Sequence, residues 1–209
     1  MIDCVIFAGA DMNISCVDKN NFENAFIICA DRGVEHAIKL DLKPDLIVGD
    51  FDSLGYVPDA DCEIMTFRPE KDDTDLMIAV RQAVCKGKKN IRIYAALGGR
   101  LDHTIGNIQT LSFALDNGCR AELVSENEIV TLLAPGKNFI QKKKGFSLSL
   151  FSYGDNVTGL CISGTKYTLN NGEINNSFPI GVSNEIIDDV AKITFESGKL
   201  LVVCSSVTT

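Results

Sequence analysis

Two aspartates separated by one residue follow a short apolar run, and their spacing suits a metal site. Asp50 and Asp52 come directly after residues 45–49. In an extended chain, residues i and i+2 point to the same side, so the two carboxylates are predicted to converge while Phe51 turns toward the core. Carboxylates this close repel one another unless a cation lies between them, and Mg²⁺ prefers oxygen ligands. A loop in which the aspartates form Asx turns is the simpler alternative.

A second acidic cluster, in residues 69–75, opens a predicted helix and contains Asp72, Asp73 and Asp75 beside Lys71. Capping a helix requires only one acid or hydroxyl. The helix dipole stabilises the helix by only about 0.3–1 kcal/mol for each exposed acidic charge in the first turn. The cluster therefore indicates more than capping. Asp75 would project from the first turn, where it could complete the metal site, and Lys71 could meet a phosphate as a point charge.

Two further segments combine glycine with charged residues at a predicted strand end. They read Gly98-Gly99-Arg100-Leu101-Asp102-His103 and Asp31-Arg32-Gly33. Glycines let the backbone approach a phosphate, a helix N-terminus offers free N–H groups to an anion, and a guanidinium forks onto phosphate oxygens. Each segment taken alone is equally typical of a tight turn or of a capped helix, with Asp31 as a possible cap. Only two histidines occur, which argues against zinc.

Alternating strand and helix patterns position these four segments within residues 1–126. Short runs rich in isoleucine and valine predict strands at residues 2–8, 25–30, 45–48, 63–67, 91–97 and 121–125. One-sided apolar faces predict helices at residues 74–85 and 102–115, with Asp73 or Thr74 and Asp102 as N-caps. Such alternation indicates an α/β domain with a mostly parallel sheet, whose ligands bind beyond the carboxyl ends of the strands. Together the four segments suggest a site for Mg²⁺ and a polyphosphate.

The pattern changes near residue 127, where helical periodicity stops. Short strands separated by turn residues are predicted at residues 146–152, 157–162, 166–169, 191–196 and 200–205. The last two strands, joined by Ser197-Gly198-Lys199, have the form of a hairpin. Residues 127–209 are therefore predicted to form an all-β domain of the sandwich type that follows the α/β domain.

The composition narrows the class of partner. A formal net charge of −8 argues against nucleic acid, because phosphate-tracking surfaces need clustered lysine and arginine. No run of about 18 apolar residues is present, so no membrane span is predicted, and the N-terminus lacks the basic region of a signal peptide. The eight cysteines form no Cys-x-x-Cys pair. Thiols used as small core residues favour a reducing compartment, and we expect a cytoplasmic protein.

Six motifs, in this order along the chain, resemble those of the thiamine pyrophosphokinase family. They are residues 30–33, 49–53, 71–75 and 98–103 with Asn107 one turn on, and then Gly164-Thr165-Lys166-Tyr167 and Gly181-Val182-Ser183-Asn184-Glu185. Single motifs are modestly specific, whereas the ordered set, which runs from about residue 5 to about residue 205, is strongly specific. The chain is identified on these residues as a member of that family.

The resemblance implies an N-terminal catalytic domain, a C-terminal vitamin-binding domain and a homodimer with thiamine near the subunit boundary. It implies pyrophosphoryl transfer from ATP to the thiamine hydroxyl, for thiamine diphosphate biosynthesis. Mg²⁺ would be held by Asp50, Asp52 and Asp75, which with Arg100 form the catalytic set. The ATP side would comprise Asp31, Arg32, Lys71, Arg100, Asp102, His103 and Asn107. The thiamine side would comprise Tyr167, Ser183 and Asn184.

The chain departs from the family pattern in two ways. Arg32 stands where many members have glycine, and the chain has no tryptophan to stack on thiamine, so that Tyr167 or Phe178 is the candidate replacement. Three other functions are compatible with the residues. They are an aspartyl-phosphate phosphatase with Asp50 as nucleophile, a sensor that binds nucleotide or thiamine without turnover, and a pyrophosphokinase for another hydroxymethyl heterocycle such as a pterin. The residues also leave open which carboxylate, Asp75 among them, accepts the hydroxyl proton, and whether any needs to.

Overall fold

The computed structural model describes residues 1–22, 24–52, 55–58, 60–68 and 72–207. The chain divides into two compact units, residues 1–126 and residues 127–209. Its strands form a mixed sheet and a separate four-stranded antiparallel sheet, and the described residues include three α-helices. Among those residues, no helix is both long and apolar enough to cross a membrane.

In the described part of the first unit, six strands pair in parallel and form the centre of the domain. They are β1 Cys4–Phe7, β2 Phe26–Ala30, β3 Leu46–Gly49, β4 Glu63–Thr66, β5 Asn90–Tyr94 and β6 Arg120–Val124. Their order across the sheet is β4-β3-β2-β1-β5-β6, and every pair between them is parallel. All four residues of β1 are buried, as expected for a central parallel strand that is covered on both faces. The six strands predicted in this half are therefore present, with ends that differ by a few residues.

Three α-helices connect these strands. They are α1 Gly33–Lys39, α2 Asp75–Cys85 and α3 Leu101–Asp116, and two short 3₁₀ helices span Ile14–Cys16 and Lys19–Phe22. Helix α1 begins directly on β1, because a Cβ atom at Gly33 would lie 1.9 Å from the backbone oxygen of Phe7. Only glycine allows this approach, and it sets where the start of α1 meets the end of β1.

The N-cap of α2 is the predicted Thr74, whose Oγ1 accepts a hydrogen bond from the Met77 N–H at 3.2 Å. The predicted caps at Asp102 and Asp31 are wrong. Arg100 occupies the cap position of α3, and Asp102 lies inside the first turn, where its carboxylate pairs with the Arg100 side chain. Asp31 precedes Arg32, the cap of α1, and adopts a left-handed backbone with φ of 47°.

The second unit contains seven antiparallel strands. They are β7 Glu128–Leu133, β8 Gly136–Gln141, β9 Phe146–Ser152, β10 Val157–Ser163, β11 Leu169–Ile174, β12 Val190–Phe195 and β13 Leu200–Ser206. Strands β7, β13 and β9 pair in that order, and the separate sheet has the order β11-β10-β12-β8. Buried side chains from both sets form one apolar cluster that includes Leu148, Leu160, Ile193 and Leu200.

The predicted C-terminal hairpin is wrong. Strand β12 pairs with β8 and β10, whereas β13 pairs with β7 and β9, so the two consecutive strands lie in different sheets. The segment between β12 and β13 pairs with β10 through the antiparallel bridge of Ser197 to Thr158. The chain then turns at Gly198, where φ is 86°. Strands β7 and β8 were not predicted, and the predicted strand at residues 166–169 is displaced to β11.

Candidate active site

A cavity of about 680 Å³ lies beyond the carboxyl ends of β1, β2, β3 and β5, beside the starts of α2 and α3. Its walls include nine of the residues predicted to bind metal or ATP: Asp31, Arg32, Asp50, Asp52, Asp75, Arg100, Asp102, His103 and Asn107. The tenth, Lys71, lies outside the described residues. Residues from Asp31 to Asn107, which are far apart in the sequence, thus meet at one edge of the parallel sheet, which is where folds of this kind bind ligands.

Three carboxylates form the acidic part of this cavity. Oxygen atoms of Asp31, Asp50 and Asp52 lie within 4.8 Å of one another. Oδ1 of Asp31 is buried and has no hydrogen-bond partner among the described residues. A buried acceptor without a donor is costly, and three converging carboxylate oxygens are the ligands that a hard divalent cation prefers. The donor set therefore fits Mg²⁺, although Asp75, which was predicted as the third ligand, lines the cavity outside this group.

The backbone explains how β2 and β3 bring the three acids together. The Asp31 N–H donates to the Val48 oxygen at 2.8 Å, which ties the end of β2 to β3. Phe51, between the other two acids, has φ of 59° and a side chain that is buried. A Cβ atom at Gly49 would lie 3.2 Å from both the Asp31 Cα and the Phe51 ring, so glycine makes room for this packing.

The Asp50–Asp52 pair forms the Asx turn of the simpler interpretation, and its carboxylates also lie close together. The Asp52 N–H donates to Asp50 Oδ1 at 3.2 Å, which is the hydrogen bond of an Asx turn. The same turn places the two carboxylates within one group with Asp31. The extended conformation that predicted their convergence is not observed, because Phe51 is left-handed.

The α3 wall of the cavity carries an exposed ion pair. Nε of Arg100 donates to Asp102 Oδ1 at 3.1 Å, and Nη2 of Arg100 donates to Asp102 Oδ2 at 2.5 Å. The hydrogen bond from Arg100 holds the pKa of Asp102 below its ordinary value, and the same bond raises the pKa of Arg100. Asp102 Oδ1 also accepts from the His103 N–H at 2.9 Å. The guanidinium is thereby held at the start of α3, where an anion would also meet backbone N–H groups.

The remaining walls are fixed by bonds from side chains to backbone. Nδ2 of Asn107 donates to the Ala96 oxygen at 2.8 Å, which fastens α3 to the segment after β5. Arg32 instead pairs with another side chain, its Nη2 atom lying 3.6 Å from Oδ1 of Asp11. Sequence reasoning missed His36, whose Nε2 lies 2.8 Å from the oxygen of Ala10, a residue of the cavity wall. Its position in the middle of a helical pattern gave no signal for this contact.

Part of the second acidic cluster has a structural role. Oδ2 of Asp73, which lies just before α2, forms an ion pair at 2.8 Å with Nε of Arg81 on that helix. Asp75 is half-buried in the first turn of α2 and contributes to the cavity wall. The cluster is thus divided between an ion pair that supports the helix and a carboxylate that faces the site.

The three residues predicted to bind thiamine lie in the second unit. Tyr167 is 62% exposed, and Ser183 is exposed with φ of 59°, its N–H donating to Ser149 Oγ at 3.0 Å. Asn184 is buried, and its amide is bonded to the backbone of Tyr167 at both ends. Asn184 therefore links the two segments whose motifs suggested a vitamin site.

Comparison with known proteins gives one consistent result. A family model described as the catalytic domain of thiamin pyrophosphokinase matches residues 18–123, and one described as its vitamin B1 binding domain matches residues 137–200. A thiamine pyrophosphokinase of Bacillus subtilis (strain 168) is 28% identical over 190 residues, which cover 88% of this chain and 89% of the relative. Thiamine pyrophosphokinase 1 of Arabidopsis thaliana is 30% identical over 176 residues, 77% of this chain and 64% of the relative.

The fold agrees with these matches. The crystal structure of thiamine pyrophosphokinase from Bacillus subtilis superposes with a TM-score of 0.85 at 26% identity, covering 98% of this chain and 100% of the other. The two family models together account for most of the sequence, and the first lies on the strands and helices that build the cavity. The chain belongs to the thiamine pyrophosphokinase family.

Proposed function

We propose that this chain transfers the pyrophosphoryl group of ATP to the primary hydroxyl of thiamine, producing thiamine diphosphate and AMP. The observation that carries the proposal is the cavity at the carboxyl ends of the parallel strands, in which three carboxylates and the Arg100 guanidinium line one space. That combination suits a cation and a polyphosphate, and it lies in the part of the chain that matches the catalytic domain of the family.

The two units would divide the work. Residues 1–126 would form the α/β catalytic domain that binds nucleotide and Mg²⁺, since they contain the parallel strands and the cavity. Residues 127–209 would form a β-sandwich that binds thiamine, since antiparallel strands of two sheets share one apolar cluster there and the vitamin B1 domain of the family matches residues 137–200.

Asp31, Asp50 and Asp52 would hold Mg²⁺, and Asp75 keeps its predicted place as a further ligand because it lines the same cavity. When bound, Mg²⁺ supplies positive charge that offsets the negative charge of the β and γ phosphates. Oδ1 of Asp31, which is buried without a hydrogen-bond partner in the described part of the chain, gives this assignment a physical basis that the sequence pattern lacked.

The side chains of the protein position the reactants and stabilise charge. Arg100 offers a planar fork to phosphate oxygens, and Arg32 lines the same cavity. In the transfer, a bond forms between the thiamine hydroxyl oxygen and the β-phosphorus. The bond from the β-phosphorus to the oxygen that bridges it to the α-phosphorus breaks, and AMP leaves with that oxygen. The hydroxyl proton passes to a carboxylate of the cavity. Holding these groups in line accounts for most catalysis in phosphoryl transfer.

The thiamine side and the assembly state are also proposals. Tyr167 and Ser183 are exposed, and apolar residues of the same region, Phe178, Ile180 and Val182, are 64%, 65% and 47% exposed. Apolar exposure of this kind is typical of a binding or subunit surface, which supports a homodimer with thiamine near the subunit boundary. Cytoplasmic residence is supported by the eight cysteines, which are present as thiols.

The test of the function is to incubate the purified protein with ATP, Mg²⁺ and thiamine and to separate the products by chromatography. We expect AMP and thiamine diphosphate in equal amounts, and loss of both with EDTA or without thiamine. Free phosphate together with a covalent phosphoryl group on Asp50 would show the phosphatase instead. Nucleotide binding without any turnover would show the sensor, and transfer to a pterin alcohol in place of thiamine would show the altered substrate.

Asp50→Asn should lower turnover at least about 100-fold while the protein remains folded, because it removes a charge from the cation site. The matched control is Asp61→Asn, which removes an exposed aspartate outside the cavity and should leave the rate unchanged. Near-normal turnover of the Asp50 variant would remove this residue from the proposed site.

A further inference from the structure

Asn184 lies at a junction between two segments of the second unit. Its backbone pairs with Leu148 on β9, the Leu148 N–H donating to the Asn184 oxygen at 2.8 Å and the Asn184 N–H donating to the Leu148 oxygen at 2.9 Å. Both backbone groups of Asn184 are thus engaged on one side. The residue has only its side chain left for the segment on the other side.

That other segment contains Tyr167. An antiparallel bridge joins Thr165 to Ile186, and the Lys166 N–H donates to the Glu185 oxygen at 2.8 Å. Continued by two residues, this register brings Tyr167 opposite Asn184. The backbone pairing cannot continue, because the backbone groups of Asn184 already bond to β9.

The amide of Asn184 replaces the missing backbone pair. Oδ1 of Asn184 accepts from the Tyr167 N–H at 3.0 Å, and Nδ2 of Asn184 donates to the Tyr167 oxygen at 2.7 Å. A primary amide has one acceptor and one donor side by side, as a peptide group does. Aspartate at this position would present an acceptor to the Tyr167 oxygen, and alanine would present neither group.

Little of this amide remains available to a ligand. Oδ1 also accepts from the Glu185 N–H at 2.8 Å, so both of its lone pairs are used. The whole residue is only 8% exposed, whereas the neighbouring Ser183 and the ring-bearing Tyr167 are exposed.

We propose that Asn184 is a positioning residue for thiamine recognition, which acts by fixing the backbone of Tyr167 and does not itself contact the vitamin. The inference rests on the proposed function and refines it, since the sequence motif alone placed Ser183 and Asn184 together as thiamine ligands. Tyr167 and Ser183 form the contact surface, and Asn184 sets the position of the first relative to the segment that carries the second.

The first experiment measures amide hydrogen exchange at Tyr167 by NMR, together with steady-state kinetics, in Asn184→Ala and Asn184→Asp. The Tyr167 amide should lose its protection in Asn184→Ala, and KM for thiamine should rise about tenfold while KM for ATP stays within about twofold. Asn184→Asp, although similar in shape, should also raise KM for thiamine. Asn138→Ala is the control, because the Asn138 amide also donates to backbone oxygens, of Ala134 and Gly136, in the same unit.

A double-mutant cycle separates positioning from direct contact. If Asn184 acts through Tyr167, then Asn184→Ala should add little to the KM for thiamine in a Tyr167→Ala background. Independent, additive losses would overturn the proposal, and so would weaker thiamine binding with Tyr167 protection intact. An unchanged KM for thiamine in Tyr167→Ala would overturn it as well.

Failure of the proposed function and failure of the role of Asn184 give different results. If the unmodified protein fails to turn over thiamine, the function fails on that result alone. Hydrogen exchange at Tyr167 still reports whether Asn184 holds the segment, because it requires no substrate. If Asn184→Ala does not fold, Asn184→Asp, which retains the volume and the acceptor, supplies the same comparison.

Discussion

Asp31 adds a third carboxylate to the Asp50–Asp52 pair that the sequence indicated. This grouping of three negative charges affects the stability of the protein. Its buried Oδ1 has no partner among the described residues, and the oxygens of Asp50 and Asp52 lie within 4.8 Å. Like charges at this distance repel one another, which destabilises the protein without a cation. A cation bound as in the proposed function would offset this repulsion.

Asp31→Asn should therefore stabilise the metal-free protein while it weakens metal binding. We expect the unfolding free energy without metal to rise by about 1 kcal/mol, and the midpoint temperature by about 2–4 °C. The increase in midpoint that added Mg²⁺ causes in the unmodified protein should be strongly reduced. Thermal unfolding with and without Mg²⁺ measures both effects. A lower midpoint for the metal-free variant would show that Asp31 has a structural partner after all.

We expect the Arg100–Asp102 ion pair to influence KM for ATP to the same extent at every pH near neutrality. Because the hydrogen bond from Arg100 holds the pKa of Asp102 below its ordinary value, the pair is intact at neutral pH and weakens only as the pH falls through that lowered pKa. Asp102→Asn should raise KM for ATP about three- to tenfold by releasing the guanidinium, and by the same factor between about pH 6 and pH 8. Initial rates across that range test this. A factor that grows toward low pH would assign the effect to another group.

Sequence reasoning named residues that line one cavity, but it did not give the geometry that joins them. Asp50 and Asp52 were expected to converge along an extended chain, but they converge through a turn at a left-handed, buried Phe51. Asp31 was expected on the ATP side, and its closeness to the Asp50–Asp52 pair depends on how β2 and β3 align. Long-range register of this kind is not encoded in local spacing.

The start of α1 allows a test at the scale of one element. Gly33→Ala would place a methyl group 1.9 Å from the Phe7 oxygen, so either the helix or β1 must move. We expect a loss of about 3 kcal/mol in unfolding free energy and a midpoint lower by about 6–12 °C.

The matched control for Gly33→Ala is Gly106→Ala in α3. A Cβ atom there would meet no atom within 4 Å, so the variant should gain about 0.5–1 kcal/mol from helix propensity. Thermal or denaturant unfolding of the two variants should give changes of opposite sign. Equal stability of the Gly33 variant and the unmodified protein would show that α1 is not fixed to β1 by this contact.

Most strands were predicted from short runs rich in apolar residues. They are all six strands of the parallel sheet and, in the second unit, β9, β10, β12 and β13. Strand β8 was missed because Lys137, Asn138 and Gln141 interrupt its pattern. The predicted C-terminal hairpin failed for a different reason. Alternation of apolar residues shows which face of a strand is buried, but it does not specify the partner strand.

At the scale of the whole molecule, the cysteines lie at different depths, which predicts their reactivity. Burial raises the pKa of Cys4 to about 12 and also raises the pKa of Cys29, whereas Cys85 is exposed. At about pH 8, iodoacetamide should label Cys85 first and should reach Cys4 and Cys29 only on unfolding. Mass spectrometry of the labelled peptides gives the order. Labelling of Cys4 at the rate of Cys85 would show that β1 opens readily.

The same burial predicts how stability changes at alkaline pH. A thiol whose pKa is raised by folding favours the folded state below its ordinary pKa, and this contribution is lost as the pH rises through the folded pKa. The contribution of Cys4 should therefore fall between about pH 9 and pH 12. Cys4→Ala, compared with the unmodified protein, should lose less stability over that range in denaturant unfolding.

The absence of tryptophan has an optical consequence. Ultraviolet emission of this chain comes from four tyrosines, of which Tyr94 is buried beside Phe7 and Phe22 while Tyr167 is exposed. An indole introduced by Tyr167→Trp would thus be the single emitter of its kind, on a backbone position that the Asn184 amide holds in place. Because the unmodified protein has no indole emission, a change in the fluorescence of Trp at position 167 would report ligand binding at this one position.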